Sequence, residues 1–377
     1  MSRMLSVFYL LPAVAVCSAD EDVQTKSSTV ERQSQYEVDD ITVPAAFADE
    51  QRREFSIDRA ADHLEDGAVG WSRQKKCITC HTNGTYLLIR PRLTSSLGLP
   101  SEEVRQFFLD ELAKLQATDH KRLRSGTRPA QVIYAAAGLA EWDAHVFHQG
   151  AAETDAALKL MFQLQDDNGT WTSLDCWPPF ESSAYQEATM AAMAVGAVPQ
   201  WLPSIEDPEL LGRVERLRTY LRDTEPPHEY AKVLKLWAST RFDGILGADE
   251  QQNIVSMILE QQQPDGGWSL RNFAAPEQWG RGNRAEKVRA ESDFDSPQSD
   301  GHMTGLVLVV LQQSGMHCES DSVLRGLTWL KQNQRVSGRW WTRSLNTDKW
   351  HFITYSGTAY ALLAMQLAGE LHDSVSR

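Results

Sequence analysis

The sequence predicts an all-α protein built as a closed ring of paired helices, and three observations predict it. An apolar helical run followed by Gln, Gly and Trp at fixed offsets occurs three times. Each occurrence leads, after a loop, into an apolar helix rich in Ala and Gly, a composition that lets helices approach closely. The scattered glycines follow no strand-to-helix pattern, and no phosphate-binding loop is present.

The first copy is Leu160, Met161 and Phe162 with Gln165, Gly169 and Trp171. The second is Ile258 and Leu259 with Gln262, Gly266 and Trp268. The third is Leu327, Thr328, Trp329 and Leu330 with Gln334, Gly338 and Trp340. Each reads as a helix ending in a tight turn: Gly takes the left-handed backbone at the stop, Gln bonds backbone at the helix end, and Trp packs back over it. Small-residue helices follow over 183–195, 300–311 and 357–367. Outer, repeat-bearing helices alternating with inner, small-residue helices predict hairpins closed into a ring.

The third copy, from Arg325 and Gly326 through Gln334, Gly338 and Trp340, resembles the QW motif of squalene-hopene cyclases and their relatives in the terpenoid cyclase and prenyltransferase superfamily. Gln262, Gln263, Pro264, Asp265, Gly266, Gly267 and Trp268 are similarly close. The resemblance covers residues 158–367 well and 58–148 more weakly. It implies an α/α toroid, a barrel of alternating outer and inner helices, with an apolar cavity at the ring centre where related enzymes hold isoprenoid chains.

Weaker copies are expected before the first. Gly67 and Trp71 follow a helix at 57–64, Tyr86 starts another apolar run, and 131–140 is again a small-residue helix. In that arrangement residues 77–81 fall in a loop between an outer and an inner helix, at one mouth of the ring.

That loop carries the sharpest motif of the chain, Cys77, Ile78, Thr79, Cys80 and His81. Two thiols separated by two residues can form thioethers to the two vinyl groups of haem, and the adjacent His reaches the iron. The stretch 76–93 also resembles haem-type leaders of secreted cyclase-like proteins. A Cys77–Cys80 redox disulfide is one alternative. Zinc is another, and would need a fourth ligand beside Cys77, Cys80 and His81. For a second haem ligand the candidates are His302, favoured because it starts an inner helix, then His145, His148, His351 and several Met residues.

Catalytic residues are less legible. Class II cyclases protonate their substrate with an Asp-x-Asp-Asp cluster, and this chain has none. Asp293 and Asp295 come nearest, in a charged insertion over 276–299 that reads as a solvated loop. Asp166, Asp167 and Asn168 belong to a repeat turn. The zinc-binding arrangement of protein prenyltransferases has no match. The segment Asp175, Cys176, Trp177, Pro178, Pro179, Phe180, Glu181 and Ser182 joins a repeat Trp to the next inner helix, where it either lines a pocket or packs as a stiff structural loop.

The 377 residues are 42% hydrophobic and 23% charged, enough for a substantial core. A formal charge of −14 and the lack of a basic stripe exclude a nucleic-acid partner. Arg3, an apolar run over 4–16 and small residues Ser18 and Ala19 read as an export signal over 1–19, too short to span a bilayer. A lipoprotein signal ending at Cys17 is the competing reading. Residues 20–58, polar and acidic, read as a flexible leader, and 59–377 as one toroid domain. In a periplasmic or secreted location disulfides persist, and Cys176 and Cys318 are a possible pair. No membrane-spanning segment is expected after cleavage.

Together these readings describe an exported toroid with a covalent haem c that holds an apolar or isoprenoid-like ligand for redox chemistry, or passes electrons to a partner protein. A haem-free cyclase-like enzyme and a non-catalytic binding scaffold are the alternatives.

Overall fold

The computed structural model describes residues 34–371 except Cys176 and Pro199. The signal at 1–19, Cys17 and the Cys176–Cys318 pairing therefore lie outside the described residues.

Twelve helices, among the described residues, form six hairpins of one outer and one inner helix. In chain order they are α1 (Ile57–Lys75) and α2 (Asn83–Ile89), α3 (Glu102–Gln116) and α4 (Arg128–Trp142), α5 (Ala152–Gln163) and α6 (Ala184–Ala197), α7 (Pro208–Asp223) and α8 (Glu229–Ser239), α9 (Ala248–Glu260) and α10 (Gly301–Gln313), α11 (Asp321–Asn333) and α12 (Ile353–Leu367). Each inner helix packs on the next, and α12 packs on α2, so the circle closes and the protein is an α/α toroid. The described helices include none long and apolar enough to cross a membrane.

Burial explains which helix of each pair is inside. α7 buries only Leu210, Val214, Leu217 and Leu221, one stripe at helical spacing, and shows solvent its charged side. α10 buries every residue from Gly301 to Leu311, and α12 every residue from Ile353 to Met365. A helix apolar all round must be enclosed on all sides, which the inner ring provides. Side-chain caps fix where inner helices start: Ser183 accepts from Gln186 N at the head of α6, and Asp300 from Met303 N at the head of α10.

The three repeated turns share one geometry. Trp171, Trp268 and Trp340 each donate their indole N–H at 2.8 Å to a carbonyl ten residues back, on Met161, Ile258 and Leu330. Gln165, Gln262 and Gln334 each bridge two carbonyls. One belongs to the turn glycine and the other, on Arg213, Ser322 or Ser56, to the next outer helix or its cap. The turn glycines have φ between 92° and 94°. At Gly338 a Cβ would stand 2.1 Å from the carbonyl oxygen of Arg59, so the turn presses directly on α1. Each repeat thus fastens its hairpin to the next one, and the third fastens the end of the ring to its beginning.

Two expectations are corrected. The leader over 20–58 is folded from residue 34 onward. Strands β1 (Tyr36–Val38) and β2 (Ile41–Val43) pair antiparallel with Tyr36 opposite Val43. Those two side chains point to one face and are 1% and 2% exposed, with Tyr36 against Trp71, Phe352 and Tyr355. Further on, Arg53 N bonds the Gln334 carbonyl, and the fully buried Arg339 meets Glu50 and donates to the Pro44 carbonyl. The segment is polar in composition, yet its few apolar residues are spaced for one face of a hairpin. The weak copy expected at Gly67 and Trp71 is also absent, because α1 runs unbroken to Lys75. Gly67 is instead the place where the Tyr355 ring rests on that helix, a Cβ there lying 2.0 Å from its Cε1.

Candidate functional site

All inner helices start at one mouth of the ring, and the loops from outer to inner helices gather there. The loop over 76–82 joins α1 to α2. Asn83, at the head of α2, shapes it: Asn83 Oδ1 accepts from Thr79 N at 2.9 Å, while Nδ2 donates to Ser72 Oγ and the Cys77 carbonyl. Thr85 Oγ1 donates to the Cys80 carbonyl, and Trp71 Nε1 to that of Cys77. Gly84 admits the loop to the helix, since a Cβ would lie 2.2 Å from the Thr79 oxygen. Three side chains and one glycine thus hold residues 77–81 in a single conformation.

The mouth holds a cavity of about 470 Å³ lined by three loops. Cys77, Cys80 and His81 come from the first, residues 177–181 from the second, and Ser344, Asn346, Thr347, Trp350 and Phe352 from the third. Its walls are largely apolar, with Trp71, Trp177, Phe180, Trp350 and Phe352 among them. The His81 ring stacks on Phe352 at 5.0 Å, meets Trp71 edge-on at 4.9 Å and approaches Phe180 at 6.5 Å. His81 Nδ1 shares a 2.7 Å hydrogen bond with Thr82 Oγ1, which fixes the ring and leaves Nε2 as its other donor atom. Burial brings the His81 pKa down to about 3, so the imidazole is neutral, the form that binds a metal.

Both thiols are held protonated. Burial raises the Cys77 pKa, and raises that of Cys80 well above its usual value, with Glu181 and Glu187 adding to the effect. Cys77 and Cys80 are free thiols. Among the described residues no three of His, Cys, Asp and Glu cluster closely enough to hold a metal ion by themselves.

The structure singles out two carboxyls: Glu181, which the sequence placed in a segment able to line a pocket but gave no role, and Glu187, which sequence reasoning passed over. Glu181 is 5% exposed, lines the cavity and accepts from Cys80 Sγ at 3.5 Å. Burial pushes its pKa up to about 7. Its backbone is left-handed, φ 48°, an uncommon conformation for a residue with a side chain, and Gln186 Oε1 accepts from its N–H. Behind it Glu187 is 1% exposed, with Oε2 unpartnered and a pKa raised well above normal by burial, then by Glu181 and Asp175. The signal was present in the sequence: Glu187 is an acid in an otherwise apolar, small-residue helix.

A stability prediction follows for Glu181. Its folded pKa lies above the ordinary glutamate value of 4.5, so between pH 4.5 and 7 the folded state binds the extra proton and stability falls as pH rises. The shift corresponds to on the order of 3 kcal/mol. Urea melts of Glu181→Gln at pH 5 and pH 8 should therefore show a smaller loss of stability than wild type. An equal loss in both proteins would contradict the assignment.

The other sequence candidates lie elsewhere. His302 is fully buried inside the ring, with Nε2 bonded to Tyr230 OH at 3.0 Å and Nδ1 to Ser356 Oγ at 2.7 Å. Phe180 touches both His302 and His81, at 5.6 and 6.5 Å, and His302 is not on the cavity wall. Tyr230 and Tyr360 pack beside it. Around His302 the ring interior is filled by Tyr230 and Tyr360, while the cavity lined by residues 77–81 lies at the mouth. His145 and His148 follow the far end of α4, whose fifteen residues span about 22 Å. His351 is engaged by Ser344 N and Trp341. Asp293 is bound by Arg271, whose hydrogen bonds hold its carboxyl below the usual range; it is an ionised anchor rather than a proton donor.

No family model matches the chain, and no curated protein does. Among solved structures, ent-copalyl diphosphate synthase from Streptomyces platensis is 15% identical with a TM-score of 0.48, covering 76% of this chain and 50% of that one. The chain therefore spans half the length of that synthase. A polysaccharide lyase is 11% identical with a TM-score of 0.49, covering 85% and 98%. The type II terpene cyclase MstE from Scytonema is 14% identical with a TM-score of 0.45, covering 83% and 99%. Such distant likeness, to enzymes of different chemistries, carries no activity to this chain.

Proposed function

We propose that this protein carries a covalent haem c at the mouth of its toroid, with Cys77 and Cys80 as the attachment thiols and His81 as the iron ligand, and that it is a redox protein. One observation carries the reading: both thiols and the imidazole of the motif line a single aromatic-walled cavity open to solvent. The remaining details agree with it. Protonated thiols are what addition to a vinyl group consumes, each S–H adding across a C=C bond. Thr82 orients the His81 ring as a supporting hydrogen bond orients a metal-bound imidazole. When bound, haem supplies one-electron chemistry tuned by its axial ligands and surroundings.

The aromatic walls would exclude water and accept an apolar or isoprenoid-like ligand, or the contact face of a redox partner. Expression of the chain in a host that matures haem c, followed by denaturing electrophoresis with haem staining and an optical spectrum, tests this directly. Attached haem supports the proposal, and colourless, folded, exported protein refutes it.

The tyrosine–histidine–serine network leaves His302 no free nitrogen, so His302→Ala should leave the visible spectrum of the haem protein unchanged. Its cost is to stability, about 1–3 kcal/mol from the unpaired Tyr230 hydroxyl. Loss of a six-coordinate spectrum in this variant would show that the network rearranges and His302 reaches the iron.

Glu181 favours a second reading, a haem-free enzyme that uses a carboxylic acid in an apolar cavity as proton donor. Turnover by haem-free protein that is abolished in Glu181→Gln would replace the first reading with this one.

A further inference from the structure

A second cavity, of about 370 Å³, lies away from the mouth, between the turn after α9, the loop ending at Ser299, the end of α11 and the strap that follows the hairpin. Arg52 and Arg335 both line it and stand opposite one another across an antiparallel bridge. Like charges placed directly across a strand pair repel. Folded proteins ordinarily relieve such a pair with a carboxylate, but neither guanidinium has an ion-pair partner among the described residues. Arg335 donates only to the backbone carbonyl of Glu50, and its Nε is buried without a partner. Its pKa is lowered by burial and then by Arg52, with the charges of Glu50 and Asp49 offsetting the shift only in part.

The rest of the groove is equally particular. Trp341 is partly buried on its wall, and its ring meets that of His351, from the same loop between α11 and α12, at 4.6 Å. Ser296 and Gln298 are exposed on the rim. Asp265 is already committed, accepting from Gly267 N, Ser299 Oγ and Trp329 Nε1. It is therefore unavailable to the arginines, while its charge opposes entry of a dianion.

We propose that this groove is a second ligand site, for a singly charged carboxylate borne on a hydroxylated ring, such as a hexuronate, with the acid on Arg52 and Arg335 and the ring on Trp341. Paired guanidinium groups match the planar carboxylate through parallel N–H···O bonds. An indole face suits the apolar face of a sugar ring, and the rim amide and hydroxyl suit its hydroxyl groups. Asp265 repels a phosphate dianion about twice as strongly as a singly charged carboxylate at the same distance. The inference is independent of haem and of the mouth cavity.

Calorimetric titration of the full chain with glucuronate, benzoate, methyl glucoside and inorganic phosphate tests it. Saturable heat is expected with glucuronate alone, weakened at least about tenfold in Arg52→Ala and in Trp341→Ala. Arg52 makes no side-chain hydrogen bond within the described residues and faces another cation, so its removal should not lower the melting temperature, which separates binding from folding. Silence with glucuronate, equal binding of phosphate, benzoate or methyl glucoside, or undiminished affinity in Arg52→Ala would each overturn the proposal.

Discussion

In a host that matures haem c, the double substitution Cys77→Ser, Cys80→Ser is expected to abolish haem that survives denaturing electrophoresis, a loss of essentially all stain. Each thioether needs its sulfur, and no described cysteine other than these two lines the cavity. Cys77→Ser alone leaves one bond and should retain stain with an altered optical spectrum. His81→Ala tests a different role, because it removes the iron ligand while keeping both sulfurs; there the stain should persist and the spectrum change. Cys80 is buried and bonded to Glu181, so folding of the double variant must be checked by circular dichroism. The Ser hydroxyl can still donate to that carboxyl, which is why Ser rather than Ala is the informative choice.

Trp340→Ala should give the largest loss of stability of any single change considered, about 3–5 kcal/mol for deleting a fully buried indole. The indole also satisfies the Leu330 carbonyl, and Trp340 abuts Gly301 at the head of α10, where a Cβ would stand 2.3 Å from Trp340 Cβ. It belongs to the turn that joins the last hairpin to α1, so the loss falls on ring closure. Urea denaturation checks the magnitude. Trp177→Ala is the matched control: that ring is 39% exposed at the cavity rim, and its loss should cost less than about 0.5 kcal/mol. Equal effects at the two positions would mean that the repeat Trp does not fasten the ring.

The sequence by itself determined the helical class and the ring. A repeat that recurs with Gln, Gly and Trp at the same offsets has one local solution each time, and local hydrogen bonds within ten residues carry most of it. It also placed residues 77–81 in a loop from an outer to an inner helix, since the apolar runs on both sides are contiguous in the chain. What only the tertiary structure decided depends on residues far apart. Glu181 meets Cys80 across 101 positions, and Gln334 meets Ser56 across 278. The strap over 34–56 reads as flexible by composition, because its stability comes from Tyr355, Arg339 and Gln334 at the other end of the chain. The ring centre was likewise undetermined. That Tyr230, His302 and Tyr360 meet inside the ring depends on how near the small-residue helices approach, a distance set by packing around the whole circle rather than by any one segment.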